Sequence, residues 1–369
     1  MYDYLVVGAG LAGATLAERL ASQLGASVLV VEKRPHVAGN AYDLVDERGL
    51  RFHQYGPHIF HTNAPHVVAY LSRFTRWIPY EHRVLARVDG RLVPIPINRT
   101  TINRLYGTAF DEAGAAAFLA ARAESPPRIA TSEDAIVARV GRELYETFFR
   151  GYTRKQWGLD PAELDASVCG RVPTRTNDDD RYFTDAFQAI PADGFTALVR
   201  RMLAHPRIQV VTGCDFATIA DRERFDRVVY TGPLDEYFGF TYGPLPYRSL
   251  TFRFETVAAE DGLPVGCVNE PDPAVPYTRT TDYRYLTGQR AARTILGREF
   301  PSAHGEPYYP IPRPENRELA SKYMGLAAAQ RAVVFVGRLA EYRYYNMDQV
   351  VASALATFET LARAKALAS

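Results

Sequence analysis

Residues 2–13 read YDYLVVGAGLAG. An apolar run over residues 2–7 leads directly into three glycines, Gly8, Gly10 and Gly13. A helical pattern follows, with Leu11, Leu16 and Leu20 on one side. A second apolar run, residues 27–31, ends on Glu32. Strand, glycine turn, helix and strand make a βαβ unit, which implies a buried parallel sheet. Gly8 permits the tight turn, Gly10 lets the backbone approach a pyrophosphate, and Gly13 lets helix and strand pack closely. The helix N-terminus beginning at Leu11 offers free N–H groups and the positive end of its dipole to phosphates. Glu32 can accept hydrogen bonds from a ribose diol and would repel a 2′-phosphate, so NADP is disfavoured. A dinucleotide site is expected here. The motif does not separate NAD from FAD.

Working outward, residues 65–74 have a helical pattern with Thr62 or Asn63 as the expected cap. In HRVLARVDGRLVPIPI, residues 82–97, alternating apolar residues flank Asp89-Gly90, a strong hairpin signal. Residues 100–154 are Ala-rich and helical, with Thr131 or Ser132 as a cap and residues 141–154 as one helix carrying Leu144 and Phe148 on one face. Residues 158–181 read as polar loops. A helix (194–203) and strands (208–211, 227–230) restore the α/β texture. β-rich runs follow at YRSLTFRFE, YTRTTDYRYL and RTILGREF, and the end is a strand, AVVFVGRL, and a long helix over 347–366.

The expected fold class is therefore α/β: a discontinuous Rossmann-like domain with an inserted helical bundle and an inserted antiparallel sheet. Residues 1–78, 191–240 and 326–369 are assigned to the first, 100–168 to the second, and 79–99, 169–190 and 241–325 to the third.

Composition bounds the function. The chain has 369 residues and a net charge of +1, so no bulk field favours nucleic acid. Cys169, Cys214 and Cys267 are too few and scattered for a zinc site or a disulfide framework, and a reducing cytoplasm is expected. No apolar run is long enough to span a bilayer and the N-terminus lacks a signal-peptide pattern. The 23 Tyr and 19 Phe include tyrosines in polar stretches such as EYRYYNMD and EPYYPIP, which suits either packing or an aromatic-lined ligand site. In YGPHIFHT, residues 55–62, His58 and His61 stand three apart. On an extended segment they face opposite sides, so they do not share a metal ion, and no metal site is expected.

The continuation EKRPHVAGNAYD adds Gly39, and VVFVGRLAEYRYYNMDQVVASAL adds Gly337-Arg338 and a helix start near Met347. These pieces resemble the FAD-binding fold of the amine oxidase and glutathione reductase type. GNAYD, YGPHIFHT, VPIPIN, GYTRKQWG, PYTR, EPYYPIP and GRLAEYRYYNMD, in this order, resemble the bacterial UDP-galactopyranose mutases over essentially the whole chain. That resemblance implies interconversion of UDP-galactopyranose and UDP-galactofuranose without net redox. In the family, N5 of reduced FAD (FADH⁻) attacks the anomeric carbon, UDP leaves, and the ring opens through an iminium and recloses.

Site residues follow from the same resemblance. FAD falls to Gly8, Gly10, Leu11, Gly13, Glu32, Lys33, Gly39, Asn40, Tyr55, Gly56, Pro57, Gly337, Arg338, Met347 and Asp348. Arg171 and Arg279 hold the diphosphate, a task that suits guanidinium forks, although Arg175 lies close to Arg171. His58 is placed near flavin N5, with His61 one layer behind. GYTRKQWG resembles a mobile substrate loop, bringing Tyr152, Thr153 and Trp157 to the UDP site. Tyr182 stacks on uridine, Phe148 and Phe149 lie near the base or equally serve as core, Tyr309 and Tyr344 contact phosphates, and Asn269 is a weaker candidate on the substrate side.

Three positions depart from the family pattern. Asn346 replaces a usual aspartate and is assigned sugar or flavin contact without acid–base chemistry. Thr280-Thr281 begins a stretch where many relatives have a Glu-His pair, and Ala38 stands where glycine is usual. NAD(P)H or another reductant, and a dimer or larger homo-oligomer, complete the expectation. The rivals are an amine oxidase-like flavoenzyme and a non-catalytic homologue that binds FAD or nucleotide sugar.

Overall fold

A computed structural model describes residues 2–219 and 225–368. Its parallel sheet has the order Ile208–Thr212, Val28–Glu32, Tyr4–Val7, Arg227–Tyr230, Val333–Phe335. Alternate residues serve opposite faces. Val6, Val28, Val30 and Val229 pack under the helices Leu11–Leu24, Phe195–Leu203 and Met347–Ala368, while Leu5, Val7, Leu29 and Tyr230 face the other way with Phe216 and Phe335. Burial on both faces explains why these strands read as unbroken apolar runs. The order reverses at Tyr4–Val7, whose neighbours are the next strand in sequence and a strand some 220 residues later. A crevice at such a switch point, beyond the strands' carboxyl ends, is where this topology binds ligands.

The large antiparallel sheet has seven strands in the order Tyr309–Pro310, Tyr247–Ala258, Arg293–Ser302, Arg279–Asp282, Cys267–Asn269, Val84–Val88, Arg91–Ile95; only Cys267–Asn269 and Val84–Val88 run parallel. Asp89 and Gly90, at φ 47° and 74°, make the expected hairpin turn. Residues 79–99 and 241–325 supply all seven strands. Residues 169–190, expected in the same sheet, supply none. The strand Phe187–Pro191 pairs with Phe60–Thr62 and Trp77–Pro79 instead. YTRTTDYRYL is only half extended: after Arg279–Asp282 the Asp282 side chain accepts from the Arg284 amide and caps the helix Tyr283–Thr287.

The helical body shares one core with the hairpin, in which Val84, Ala86 and Ile95 meet Ile136, Leu144 and Phe148. Thr131 caps the helix Ser132–Tyr145 through a capping box with Asp134. Gly141, at φ 79°, kinks the chain where a side chain would strike the Arg122 carbonyl; beyond it the expected helix is present, running from Arg142 through a π turn at Glu146–Arg150 into Gly151–Trp157, with Leu144 and Phe148 in one core. Residues 151–158, expected as a mobile loop, form the helix Gly151–Trp157, closed by Gly158 in the left-handed region. Arg248 donates to the Gln156 and Lys155 carbonyls and pins its end. Neither Thr62 nor Asn63 caps Pro65–Leu71 directly; the N-cap is Ala64, whose amide donates to Thr62 Oγ1.

Candidate active site

The glycine turn sits at the crevice. Gly8 has φ 97°, and a side chain there would collide with the Thr231 hydroxyl. The helix Leu11–Leu24 begins with no side-chain cap and no acidic residue in its first turn. Its free N–H groups face a cavity lined also by Gly8, Gly10 and Leu11. A Cβ on Gly39 would lie 3.1 Å from Gly10 Cα, so the two glycine loops meet backbone to backbone over the crevice. This cradle and the uncapped helix end fit a dinucleotide pyrophosphate. Glu32, Lys33, Gly39, Asn40, Gly337, Arg338 and Met347 line the same cavity. Glu32 also braces the turn by accepting from the Ala9 and Arg34 amides at 2.9 and 3.0 Å.

Five expected cofactor positions do not line the cavity; Pro57 lines the adjoining one. Gly13 packs against the Gly8 carbonyl, as its helix–strand role requires. The Tyr55 hydroxyl bonds to His36 at 2.7 Å under the Arg34 guanidinium. Gly56 is buried against Phe252 and Glu299. Asp348 accepts from Thr62 Oγ1 at 2.8 Å, tying its helix to the strand Phe60–Thr62. Ala38 has φ 77°, a left-handed conformation that accounts for glycine being usual there.

A second cavity adjoins the first. His58, Arg338 and Met347 line both. Pro57, Arg171, Tyr182, Asn269, Arg279, Tyr309, Tyr344 and Asn346 line the second, together with His61 and His82. Sheet register builds its floor: Asn269 lies opposite Arg279, and Arg279 opposite Glu299, across three adjacent strands. Glu299, 2% exposed, receives Arg279 Nε at 3.0 Å and Nη2 at 2.9 Å. Burial is the largest influence and disfavours the Arg279 charge, but Glu299 together with the surrounding Tyr152, Cys267 and Tyr309 holds its pKa well above the ordinary value. Arg171 lies 4.7 Å from the Tyr344 ring centroid and Arg338 5.3 Å from that of Tyr309. Burial opposes the Arg171 charge, and the Tyr344 and Tyr182 phenols reverse the effect. Arg175, by contrast, donates to the Asp179 and Arg181 carbonyls and holds a loop.

The two histidines are unlike. His58 lies before the strand Phe60–Thr62, with Nδ1 2.8 Å from the Gly56 carbonyl oxygen and its backbone amide donating to His53 Nδ1. Burial, with the charges of His53 and nearby arginines, pushes its pKa to about 3, so it is neutral at pH 7. His61 stacks on Phe183 and bonds to Asp185 at 2.8 Å. The described residues hold no cluster of three or more His, Cys, Asp or Glu side chains that could bind a metal ion.

The second cavity deepens into a recess under the helix Gly151–Trp157. Phe149, Tyr152, Thr153, Gln156 and Trp157 line it, and Arg171, Tyr182, Asn269, Arg279, Tyr309 and Tyr344 are shared with the outer part. Trp157, Tyr309 and Tyr344 form an aromatic trio with centroids 5.5–6.2 Å apart. Phe148 does not line the recess; it is 3% exposed in the helical core.

The UDP-galactopyranose mutase family model matches residues 147–344, and an NAD(P)-binding Rossmann-like model matches residues 6–74. A probable UDP-galactopyranose mutase of Klebsiella pneumoniae is 38% identical, over 96% of this chain and 93% of its own. The chain belongs to the UDP-galactopyranose mutase family. A dTDP-fucopyranose mutase of Escherichia coli is 36% identical over 96% of this chain and 97% of its own. A crystal structure of reduced UDP-galactopyranose mutase superposes with a TM-score of 0.79, at 17% identity, over 98% of this chain and 94% of that one, which bears on the fold.

Several residues of this family member's site were not singled out from sequence. Glu299 sits 20 residues beyond Arg279, and only strand register joins them. Gln156 is 8% exposed, faces the recess, and leaves Oε1 without a hydrogen-bond partner. Asp215, Phe216, Glu236 and Glu306 line the dinucleotide cavity; Glu306 pairs with Lys33 at 3.1 Å. Asp215 and Phe216 follow the strand Ile208–Thr212, a position that the strand–loop rule could have flagged.

Proposed function

We propose that this chain is a flavin-dependent mutase that interconverts UDP-galactopyranose and UDP-galactofuranose. One observation carries it: a dinucleotide cavity opens at His58, Arg338 and Met347 into a cavity lined by Arg171 and Arg279, which deepens into an aromatic recess. In that order the three spaces suit a flavin, a sugar diphosphate and a pyrimidine nucleoside. FAD would be held by the Gly8–Gly10 turn, the Leu11 helix end, Glu32, Lys33, Gly39, Asn40 and Gly337. When bound and reduced it supplies a nucleophile.

The protein supplies position and charge. Arg279, oriented by Glu299 through Nε and Nη2, keeps Nη1 for a phosphate oxygen. Arg171 approaches from above Tyr344. Together they stabilise UDP as it leaves and retain it for return. Tyr309, whose pKa burial and Glu299 push up to about 12, stays a hydrogen-bond donor. Neutral His58 offers Nε2 to the junction of the cavities. Tyr152, Thr153, Trp157, Tyr182 and Phe149 enclose the nucleoside. An amine oxidase-like activity needs an apolar tunnel, whereas this cavity contains three arginines. A non-catalytic homologue would bind the nucleotide sugar without turning it over in the reduced state.

The Escherichia coli relative favours a second reading, dTDP-fucopyranose as substrate. Asn346, His61 and His82 line the outer cavity, a polar wall that would suit the 6-hydroxyl that fucose lacks. The reduced protein should therefore turn over UDP-galactofuranose with a higher kcat/KM than dTDP-fucofuranose; the opposite preference would replace the first reading with the second. NAD(P)H as reductant, a dimer or larger assembly and a cytoplasmic setting belong to the same proposal. Among the described residues no helix is long and apolar enough to cross a membrane.

A further inference from the structure

The Lys155 side chain ends in a cage of backbone oxygens. Its Nζ lies 2.5 Å from the Glu270 carbonyl oxygen, 2.8 Å from that of Asp272, and 3.0 Å from those of Val275 and Tyr277. An ammonium has three protons, so four acceptors share them around a compact point charge. The nearby carboxylates are engaged elsewhere. Glu270 pairs with Arg87 at 3.1 Å, and Asp272 Oδ1 accepts from the Ala274 amide.

The position of the cage gives it a consequence. The caged loop, residues 270–278, joins the strands ending at Asn269 and beginning at Arg279, and those two residues lie opposite each other. Lys155 belongs to the helix Gly151–Trp157, whose Tyr152, Thr153 and Gln156 line the recess. Gly151 packs so closely on the Pro271 carbonyl that a side chain there would collide with it. One ammonium thus joins the helix that forms one wall of the recess to the loop that sets the other.

We infer that Lys155 is a positioning residue for nucleotide binding: its ammonium acts as an internal cation that fixes the recess helix against the Asn269–Arg279 loop. This rests on the recess being the nucleoside site of the proposed mutase. Backbone carbonyls arranged around a vacated point charge are also the donor set that holds K⁺. Removing the lysine should therefore create a site that a small cation can refill.

The test uses the FAD-loaded full chain. Lys155→Met keeps the apolar stem and removes the charge. It should bind UDP about tenfold more weakly and raise KM, because the loop must be ordered at the expense of binding. Its kcat should change less than about twofold, and its flavin content should be unchanged. In Lys155→Ala, K⁺ or ammonium, compared with choline at equal ionic strength, should recover at least about threefold in UDP affinity, with no effect on the wild type. Unchanged UDP affinity in Lys155→Met, or flavin and UDP lost together, would overturn the inference. So would a folded Lys155→Ala that K⁺ and ammonium leave unaltered; if it does not fold, the Met variant decides. Failure of the wild type to bind UDP would instead overturn the proposed function.

Discussion

Glu299→Gln removes the charge that orients Arg279 while keeping the side chain's volume. The Glu299 side chain is 2% exposed and that of Arg279 26% exposed. Breaking a buried ion pair by removing one partner costs about 3–5 kcal/mol. Arg279 keeps some exposure toward the cavity and the amide keeps one hydrogen bond, which places the cost near the lower end, about 3 kcal/mol. At about 2 °C per kcal/mol for a protein of this size, Tm should fall by about 6 °C. A diphosphate would return a counter-charge to Arg279, so saturating UDP should raise the variant's Tm by more than it raises the wild type's. Melting followed by flavin fluorescence, with and without UDP, measures both effects. An unchanged Tm without UDP, or equal stabilisation of the two proteins by UDP, would refute the placing of Arg279 as a phosphate ligand held by Glu299.

Arg279→Lys keeps a charge opposite Glu299 but loses the fork; kcat/KM should drop about 10- to 100-fold, the equivalent of 1.5–3 kcal/mol for one charge-assisted hydrogen bond, with bound FAD retained. Near wild-type turnover would exclude the assigned role. His58→Ala should disturb flavin reduction or turnover more than His61→Ala, because His58 lines both cavities while His61 lines only the outer one, with Nδ1 bonded to Asp185; stopped-flow reduction and steady-state rates check the ranking, and the reverse order would contradict it. Acid should destabilise the protein early. His53 and His82 are buried, and burial lowers both pKa values to about 3. The unfolded chain takes up their protons below about pH 6.5 and the folded chain does not, so their contribution is complete above that pH and declines toward pH 3, by about 1.4 kcal/mol per pH unit for each. Tm should fall between pH 7.5 and 5.5, and less so in His82→Gln; equal slopes would show that His82 does not carry the effect.

The dinucleotide crevice was legible because its signals are local. Gly8, Gly10, Gly13 and Glu32 fall within one βαβ unit, and Asp89-Gly90 states its own turn. Helix and strand runs elsewhere were read correctly where burial imposes a clean period, as in the strand Arg227–Tyr230 and the helix Phe195–Leu203. Misreadings arose where local pattern and long-range contact disagree. The family resemblance makes residues 151–158 a mobile loop, with the bracketing glycines permitting motion, yet Gly151 is glycine for close packing on Pro271 and Gly158 for helix termination. Phe148 and Phe149 are adjacent on a π turn, so one faces the core and the other the recess, a split that helical spacing does not reveal. Asp348, expected near the flavin, accepts from Thr62 through Oδ2 and leaves Oδ1 buried with no hydrogen-bond partner, a long-range pairing that local pattern does not encode. Glu299 reaches Arg279 only through strand register, and Lys155 reaches the loop before Arg279 only through a cage of backbone oxygens, neither of which a local pattern encodes.

The most direct measurement of the central claim is anaerobic turnover of UDP-galactofuranose, with nucleotide sugars separated after incubation with fully reduced and fully oxidised protein. Flavin-dependent mutase chemistry predicts UDP-galactopyranose from the dithionite-reduced protein and essentially none from the oxidised one. Equal turnover by both redox states would contradict it.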